Sequence, residues 1–258
     1  MNTIFAGEER VLGCLQREAP VGSVVPMFSS AVPMIPRDKW KPVDWSYLIK
    51  VVLDQNGLGA CVGFSAAATM MGLRAAAGLE HVLLSGGHLY GQINGGSDRG
   101  AYLSDSIVAL KNTGICPASV VPELSWQQRT WPSNWKDIAR ENRALEAFDS
   151  NTFDALAVAA QRGFLSSFGV MIDDGFDTDN EGYIAPRRRA KGGHAITCVG
   201  LHYGRNKWWL KILNSWTSKW GVGGYGYLPE AYLQGDFIDG WSLRAITFPG
   251  DTNIPQLI

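Results

Sequence analysis

From Cys61 to about Ala77 the chain runs Cys-Val-Gly-Phe-Ser-Ala-Ala-Ala-Thr-Met-Met-Gly-Leu-Arg-Ala-Ala-Ala, with Arg74 as its one charge. Strong helix formers closed by Gly78 predict a helix with a glycine stop, and the near absence of charge predicts burial on most sides. Residues 79–100 read as Gly-rich loop and turn. Tyr102 to Thr113 carries Leu103, Ile107 and Leu110 at helical spacing and stops at Gly114. Pro117 to Pro132 reads as an aromatic loop. Trp135 to Phe148 reads as a polar, charged helix, and Phe153 to Gln161 as a second one ending at Gly163. The period then changes. Phe168 to Ile172, Ala195 to Leu201, Trp208 to Leu213, Tyr225 to Leu228 and Trp241 to Phe248 read as strands. Tyr203-Gly204-Arg205-Asn206 predicts a hairpin joining two of them. Helices first and strands second predict an α+β protein with two lobes.

The first 35 residues have no sustained period and are punctuated by Pro20, Pro26 and Pro33. They read as an extended arm with at most one short strand. Such an arm is draped over the body, docks onto an assembly partner, or covers a cleft as an inhibitory segment. Residues 251–258 read as a tail.

Composition narrows the classes. With 46% hydrophobic and 18% charged residues over 258 positions, the chain is that of a soluble globular protein with a sizeable core. A net charge of −1 gives no reason to expect nucleic acid or a membrane surface as partner. Cys14, Cys61, Cys116 and Cys198 are far apart and form no CxxC pair, which speaks against structural zinc. Asp177-Thr178-Asp179-Asn180-Glu181-Gly182 resembles half a calcium loop, but Arg188 stands where the bidentate acid belongs, so a solvated hairpin tip is expected. No metal or other cofactor is expected. With no signal-like apolar start and no run of 18 apolar residues, reduced thiols and a cytoplasmic location are expected. Arg187-Arg188-Arg189 and Lys191 read as a solvated loop.

The chemistry concentrates at Asp54-Gln55-Asn56-Gly57-Leu58-Gly59-Ala60-Cys61. A Cys at a helix start meets unpaired N–H groups and the positive end of the helix dipole, which favour the thiolate. Gln55 can return across the turn and offer its amide beside the sulfur, as half of an oxyanion hole. The base is sought among four histidines. Only His194 sits after a glycine pair at the mouth of an apolar strand, in Gly192-Gly193-His194-Ala195-Ile196. Asn214 can accept the proton of one imidazole nitrogen and turn the other toward the thiol. Trp216 can lie over that hydrogen bond and exclude water.

These motifs together resemble the papain family of cysteine peptidases. His194 and Asn214 fall ~130–150 residues after Cys61. The Gln–Cys spacing, Phe64-Ser65, Gly-His-Ala, Asn214-Ser215-Trp216, Trp220-Gly221 and Gly224-Tyr225-Gly226 follow in family order, from about Pro36 to Phe248. The resemblance implies a two-lobed fold, a helical lobe packed against an antiparallel β-barrel-like lobe with the active site between them. It places the catalytic domain at 36–250, with the helical lobe at about 55–150 and the β lobe at about 151–250 plus the incoming segment. It implies that Cys61 attacks a peptide carbonyl, that His194 acts as base and acid, and that Asn214 orients His194. Gln55 then binds the oxyanion and Trp216 shields Asn214. Substrate-backbone binding falls near Asp98 and Gly100. Val62 stands where the family has Trp, and Leu58 where it has a Cys, so that disulfide is lost. The pattern is nearer the family's bacterial or virus-borne members. The expected function is peptide hydrolysis through an acyl-enzyme on Cys61, with a polypeptide as substrate. The alternatives are transpeptidation through the same intermediate, or a structural or binding role in a larger assembly such as a viral particle.

Overall fold

A computed structural model of the chain describes residues 1–16, 26–186, 189–235 and 237–247. Arg187, Arg188, Phe248 and the tail 251–258 lie outside the described residues. The chain opens with a hairpin, β1 (Asn2–Phe5) against β2 (Glu8–Val11), turning at Ala6 and Gly7 with φ of 52° and 80°. The reading of residues 1–35 as an arm with at most one strand is therefore corrected to two paired strands plus a short helix. That helix, α1 (Phe28–Ala31), buries Phe28 edge-on against Phe148 and Phe164. A two-residue strand, β3 (Val43–Asp44), then leads toward the nucleophile turn.

Helix α2 (Cys61–Ala76) is buried continuously from Cys61 to Arg74, as its lack of charge predicts. Next come α3 (Gly86–Ile93), α4 (Leu103–Asn112) and α5 (Trp135–Ala139). Helix α3 lies in the stretch read as loop. Its glycines mark close approach rather than a turn: a Cβ on Gly87 would lie 2.2 Å from the Glu123 oxygen, and one on Gly91 2.1 Å from the Trp126 oxygen. Ser85 caps the helix by accepting from the His88 N–H at 3.0 Å.

The helix expected over 135–148 is also corrected. It ends at Ala139, and β4 (Ala144–Asp149) follows. The charge there serves a strand pair, because Glu146 forms a bidentate ion pair with Arg244 on the last strand of the sheet, at 2.5 and 2.7 Å. Helix α6 (Phe153–Gln161) is capped by Thr152. The remaining strands are β5 (Leu165–Ile172), β6 (Gly192–Gly204), β7 (Lys207–Leu213), β8 (Tyr225–Pro229) and β9 (Phe237–Ile246). Arg205 and Asn206, both at positive φ, close the β6–β7 hairpin as expected.

All pairings in this sheet are antiparallel, in the order β4-β9-β5-β6-β7-β8, with β3 added to β6. The barrel-like expectation is corrected: among the described residues β4 and β8 do not pair, so the sheet is open. Strand β4 belongs to this sheet although it lies inside the range assigned to the helical lobe. Helix α2 packs on β5 and β6 with α3 beyond it, α4 packs on β4 and β9, and α6 packs on β5 and β6 within a separate cluster of core residues. Ser65 on α2 joins Ser167 and Thr197 on the sheet through buried hydroxyl contacts of 2.7 and 3.1 Å. The start of α2 is thereby fixed against the start of β6.

Candidate active site

Cys61 and His194 are both fully buried where the start of α2 meets β6. The Ala195 N–H, one residue past His194, is directed at the Cys61 sulfur. The β6–β7 pairing carries His194 past Asn214. Asn214 Oδ1 lies 2.8 Å from His194 Nε2 and also accepts the Ser215 N–H at 2.8 Å. Two donors converging on one oxygen fix the amide orientation and put the imidazole proton on Nε2. Nδ1 is then an acceptor, buried and without a hydrogen-bond partner among the described residues. Trp216 lies over this bond, its ring 4.7 Å from that of His194 and tilted by 31°. Phe176 closes the site edge-on, 6.0 Å from His194.

Gln55 is held by its surroundings rather than left free at a turn. Its N–H donates to the Ser215 oxygen at 3.0 Å, and its Oε1 accepts from Ser215 Oγ at 2.7 Å. Nε2 is thereby turned toward the cleft, where it donates to Leu58 O at 2.8 Å and to Val11 O at 3.2 Å. Ser215, present in the Asn214-Ser215-Trp216 motif with no task assigned to it, is the residue that holds the Gln55 amide. The structure thus brings Gln55, Cys61, His194, Asn214 and Trp216 together.

Gly100 and Asp98 part company. Gly100, at φ +93°, lies at the cleft wall, but the backbone contacts come from Ala101. The Asp98 carboxyl is turned inward, onto the Gly59 N–H at 2.9 Å and Tyr90 Oη at 2.7 Å. Ala101 went unassigned because its contribution is a backbone edge, which no side-chain motif marks.

The cleft is occupied by the chain's own start. After β2 the strap Leu12 to Gln16 runs between the two walls. The Cys14 N–H donates to Gly193 O at 3.1 Å, the Ala101 N–H to Gly13 O at 2.8 Å, and the Leu15 N–H to Ala101 O at 3.0 Å. The group turned toward the Cys61 sulfur is the Gly13 N–H. The fit requires glycine: a Cβ at Gly13 would lie 1.9 Å from the Gly59 oxygen. Cys14 points its sulfur at Gly169, where an added Cβ would lie 2.6 Å from it. Upstream, Phe5 stacks on Trp216 at 5.9 Å, and the buried Arg10 pairs with Asp54 at 2.6 Å and Glu8 at 3.0 Å.

This closure sets the electrostatics. Burial raises the Cys61 thiol above its ordinary value, opposed by the N–H groups of Ala195, Gly13, Val62 and Cys61 itself. Burial lowers His194 to about 4, with the Asn214 hydrogen bond working in the opposite direction. Both shifts favour neutral thiol and neutral imidazole over the thiolate–imidazolium pair. Among the described residues no group of three or more His, Cys, Asp or Glu is placed to hold a metal, and no helix is long and apolar enough to cross a membrane.

A family model described as papain family cysteine protease matches residues 39–232. An uncharacterized peptidase C1-like protein of Acanthamoeba polyphaga mimivirus is 24% identical over 170 residues, 59% of this chain and 54% of that protein. A cathepsin B-like CP3 of Giardia intestinalis is 28% identical over 198 residues, 70% of this chain and 65% of that protein. The chain thus spans between half and two thirds of these relatives. Among solved structures, xylellain, a cysteine protease from Xylella fastidiosa, superposes with a TM-score of 0.72 at 23% identity, covering 94% of this chain and 97% of that one. A procathepsin B from Trypanosoma congolense superposes with a TM-score of 0.70 at 16% identity, covering 90% and 85%.

Proposed function

The chain belongs to the papain family of cysteine proteases, and from that premise we propose that it is a thiol peptidase held latent by its own first sixteen residues. Cys61 is the nucleophile, His194 its base and acid, and Asn214 the group that orients His194; these three form the catalytic triad. Gln55 and the Cys61 N–H receive the oxyanion. In the reaction the Cys61 sulfur adds to a peptide carbonyl, and His194 passes a proton to the departing amine. Water then cleaves the thioester. The substrate is a polypeptide laid along Ala101 and Gly193, the two backbone edges that the strap uses. A reducing compartment is supported by four free cysteines and fits a cytoplasmic location.

The observation that carries latency is the strap's backbone bonding to Gly193 and Ala101 over a fully buried Cys61, which takes up the hydrogen bonds a substrate would use. The partner of residues 1–16 is therefore the chain's own cleft rather than a separate protein. A purely structural role is disfavoured because nucleophile, base, orienter and amide donor are all assembled. Val62, fully buried at the start of α2, takes the place of the family Trp within a packed core.

The test is full-length protein carrying Gly13→Ala, assayed on a mixed fluorogenic peptide library. Cleavage should rise at least ~10-fold over the unsubstituted chain, since forcing an extra methyl into a packed site costs ~1–3 kcal/mol. A variant with an emptied cleft that labels at Cys61 yet cleaves no peptide contradicts the peptidase reading.

A further inference from the structure

We infer that Asp98 and Tyr90 form a positioning clamp that fixes the Leu58–Gly59 peptide unit and through it aims the Gln55 amide at the oxyanion; the inference rests on the peptidase reading. One peptide plane is held at both ends. Its N–H, on Gly59, donates to Asp98 Oδ1 at 2.9 Å, and its carbonyl, on Leu58, accepts from Gln55 Nε2 at 2.8 Å. Asp98 therefore sets the plane from which Gln55 takes its direction. The same oxygen of Asp98 accepts the Tyr90 hydroxyl at 2.7 Å, and Tyr90 Oη accepts the Gly100 N–H at 3.1 Å. Tyr90 is fully buried on α3, so its hydroxyl is a rigid post rather than a mobile surface group.

The clamp joins the nucleophile loop, at Gly59, to the cleft wall, at Gly100 and Ala101. It lies where the chain has Leu58 in place of a disulfide cysteine, and all four cysteines are free. The two segments are thus tied by hydrogen bonds through Asp98 and Tyr90. Burial, and next the Asp98 hydrogen bond, raise the Tyr90 phenol above its ordinary value, so it stays a donor across the working pH range. Removing Asp98 leaves the Gly59 N–H and the Tyr90 hydroxyl to find other partners, and the Leu58–Gly59 plane is free to rotate. Neither Asp98 nor Tyr90 touches the reacting atoms in this account; both act through the plane.

The test uses full-length protein with Gly13→Ala, so that the cleft is open. Asp98→Ala should lower kcat by ~10- to 100-fold, somewhat less than deleting an oxyanion donor outright, with KM changed less than ~3-fold. Asp98→Asn keeps an accepting oxygen and should restore kcat to within ~3-fold of Asp98. Tyr90→Phe should show the same kcat–KM split at ~3- to 10-fold, which keeps the test open if Asp98→Ala does not fold. Affinity for a peptide aldehyde, whose adduct places an oxyanion at Gln55, should fall in step with kcat. Alkylation of Cys61 by iodoacetamide, which forms no oxyanion, should stay within ~2-fold. Unchanged kcat in Asp98→Ala and Tyr90→Phe, or alkylation falling in step with kcat, overturns the clamp while leaving the peptidase reading intact. A Gly13→Ala protein with Asp98 in place that neither cleaves peptide nor alkylates at Cys61 overturns the peptidase reading and the clamp with it.

Discussion

The hairpin and the strap that follows it hold the same cleft by different means. Residues 1–11 dock mainly through side chains, Phe5 on Trp216 and Arg10 on Asp54, with the Val11 oxygen accepting from Gln55 Nε2. Residues 12–16 dock mainly through backbone hydrogen bonds to Gly193 and Ala101, with glycine at the tightest point. Backbone contacts are available to any extended peptide, so under the proposed function a substrate can replace the strap. Side-chain contacts belong to this sequence alone, so the hairpin decides how strongly the strap competes. A two-stranded hairpin is marginal on its own, and docking is what keeps it in place.

The largest break in this comparison is at the strap. Gly13→Ala should speed iodoacetamide labelling of Cys61 by ~10- to 100-fold, read by mass spectrometry, because the added methyl meets backbone that cannot give way. The next effect is pH. The His194 pKa is lowered to about 4 by burial in the closed state and returns toward its ordinary value when the strap leaves. Between about pH 4 and the ordinary histidine range of ~6.5, the open state binds a proton that the closed state refuses. Acid therefore favours opening, by at most ~10-fold per pH unit, and above that range His194 contributes no pH dependence. Cys61 works at the other end: its raised value disfavours the thiolate in the closed state, so strongly alkaline solution also favours opening. Closure is firmest near neutrality. Protection of the Cys14 and Leu15 amides, corrected for intrinsic exchange, should fall as the pH drops from 6.5 toward 4.5; protection that rises instead contradicts the assignment.

Smaller effects sharpen the hairpin's part. Arg10→Ala should raise the labelling rate by ~5-fold, a modest amount because Asp54 is 38% exposed and can rehydrate once its partner is gone. Phe5→Ala should raise it by ~3-fold through the lost ring contact on Trp216. If either exceeds Gly13→Ala, the hairpin rather than the strap blocks the sulfur.

Much of the site was legible in the sequence because it is built from side chains at fixed spacing. Cys61 at a glycine-preceded helix start, His194 after Gly192-Gly193 and Asn214 before Ser215-Trp216 each carry a local signal, and the β6–β7 hairpin turn brings the last two together. What stayed hidden depends on backbone or on distant partners. Ala101 acts through its peptide groups. Asp98 looked like a substrate contact because its position was visible and its inward turn toward Tyr90 was not. In the fold, α2 was read from composition to within a residue of its end, but α3 was taken for loop because its glycines serve close packing. Strand β4 was taken for helix because the Glu146 charge answers Arg244 across ~100 residues of sequence. The strap was hidden for a similar reason: Val11-Leu12-Gly13-Cys14 has no pattern of its own until the cleft that receives it is formed.

The most direct test compares the labelling rate of Cys61 in three full-length proteins: the unsubstituted chain, Gly13→Ala, and Gly13→Ala with His194→Ala. Labelling should be slow in the first, at least ~10-fold faster in the second, and lower by a similar factor in the third at neutral pH, as Cys61 loses the base that takes its proton. Labelling of Cys61 that is equally fast in all three, or no faster in Gly13→Ala than that of the buried Cys116 and Cys198, contradicts the latent-peptidase reading.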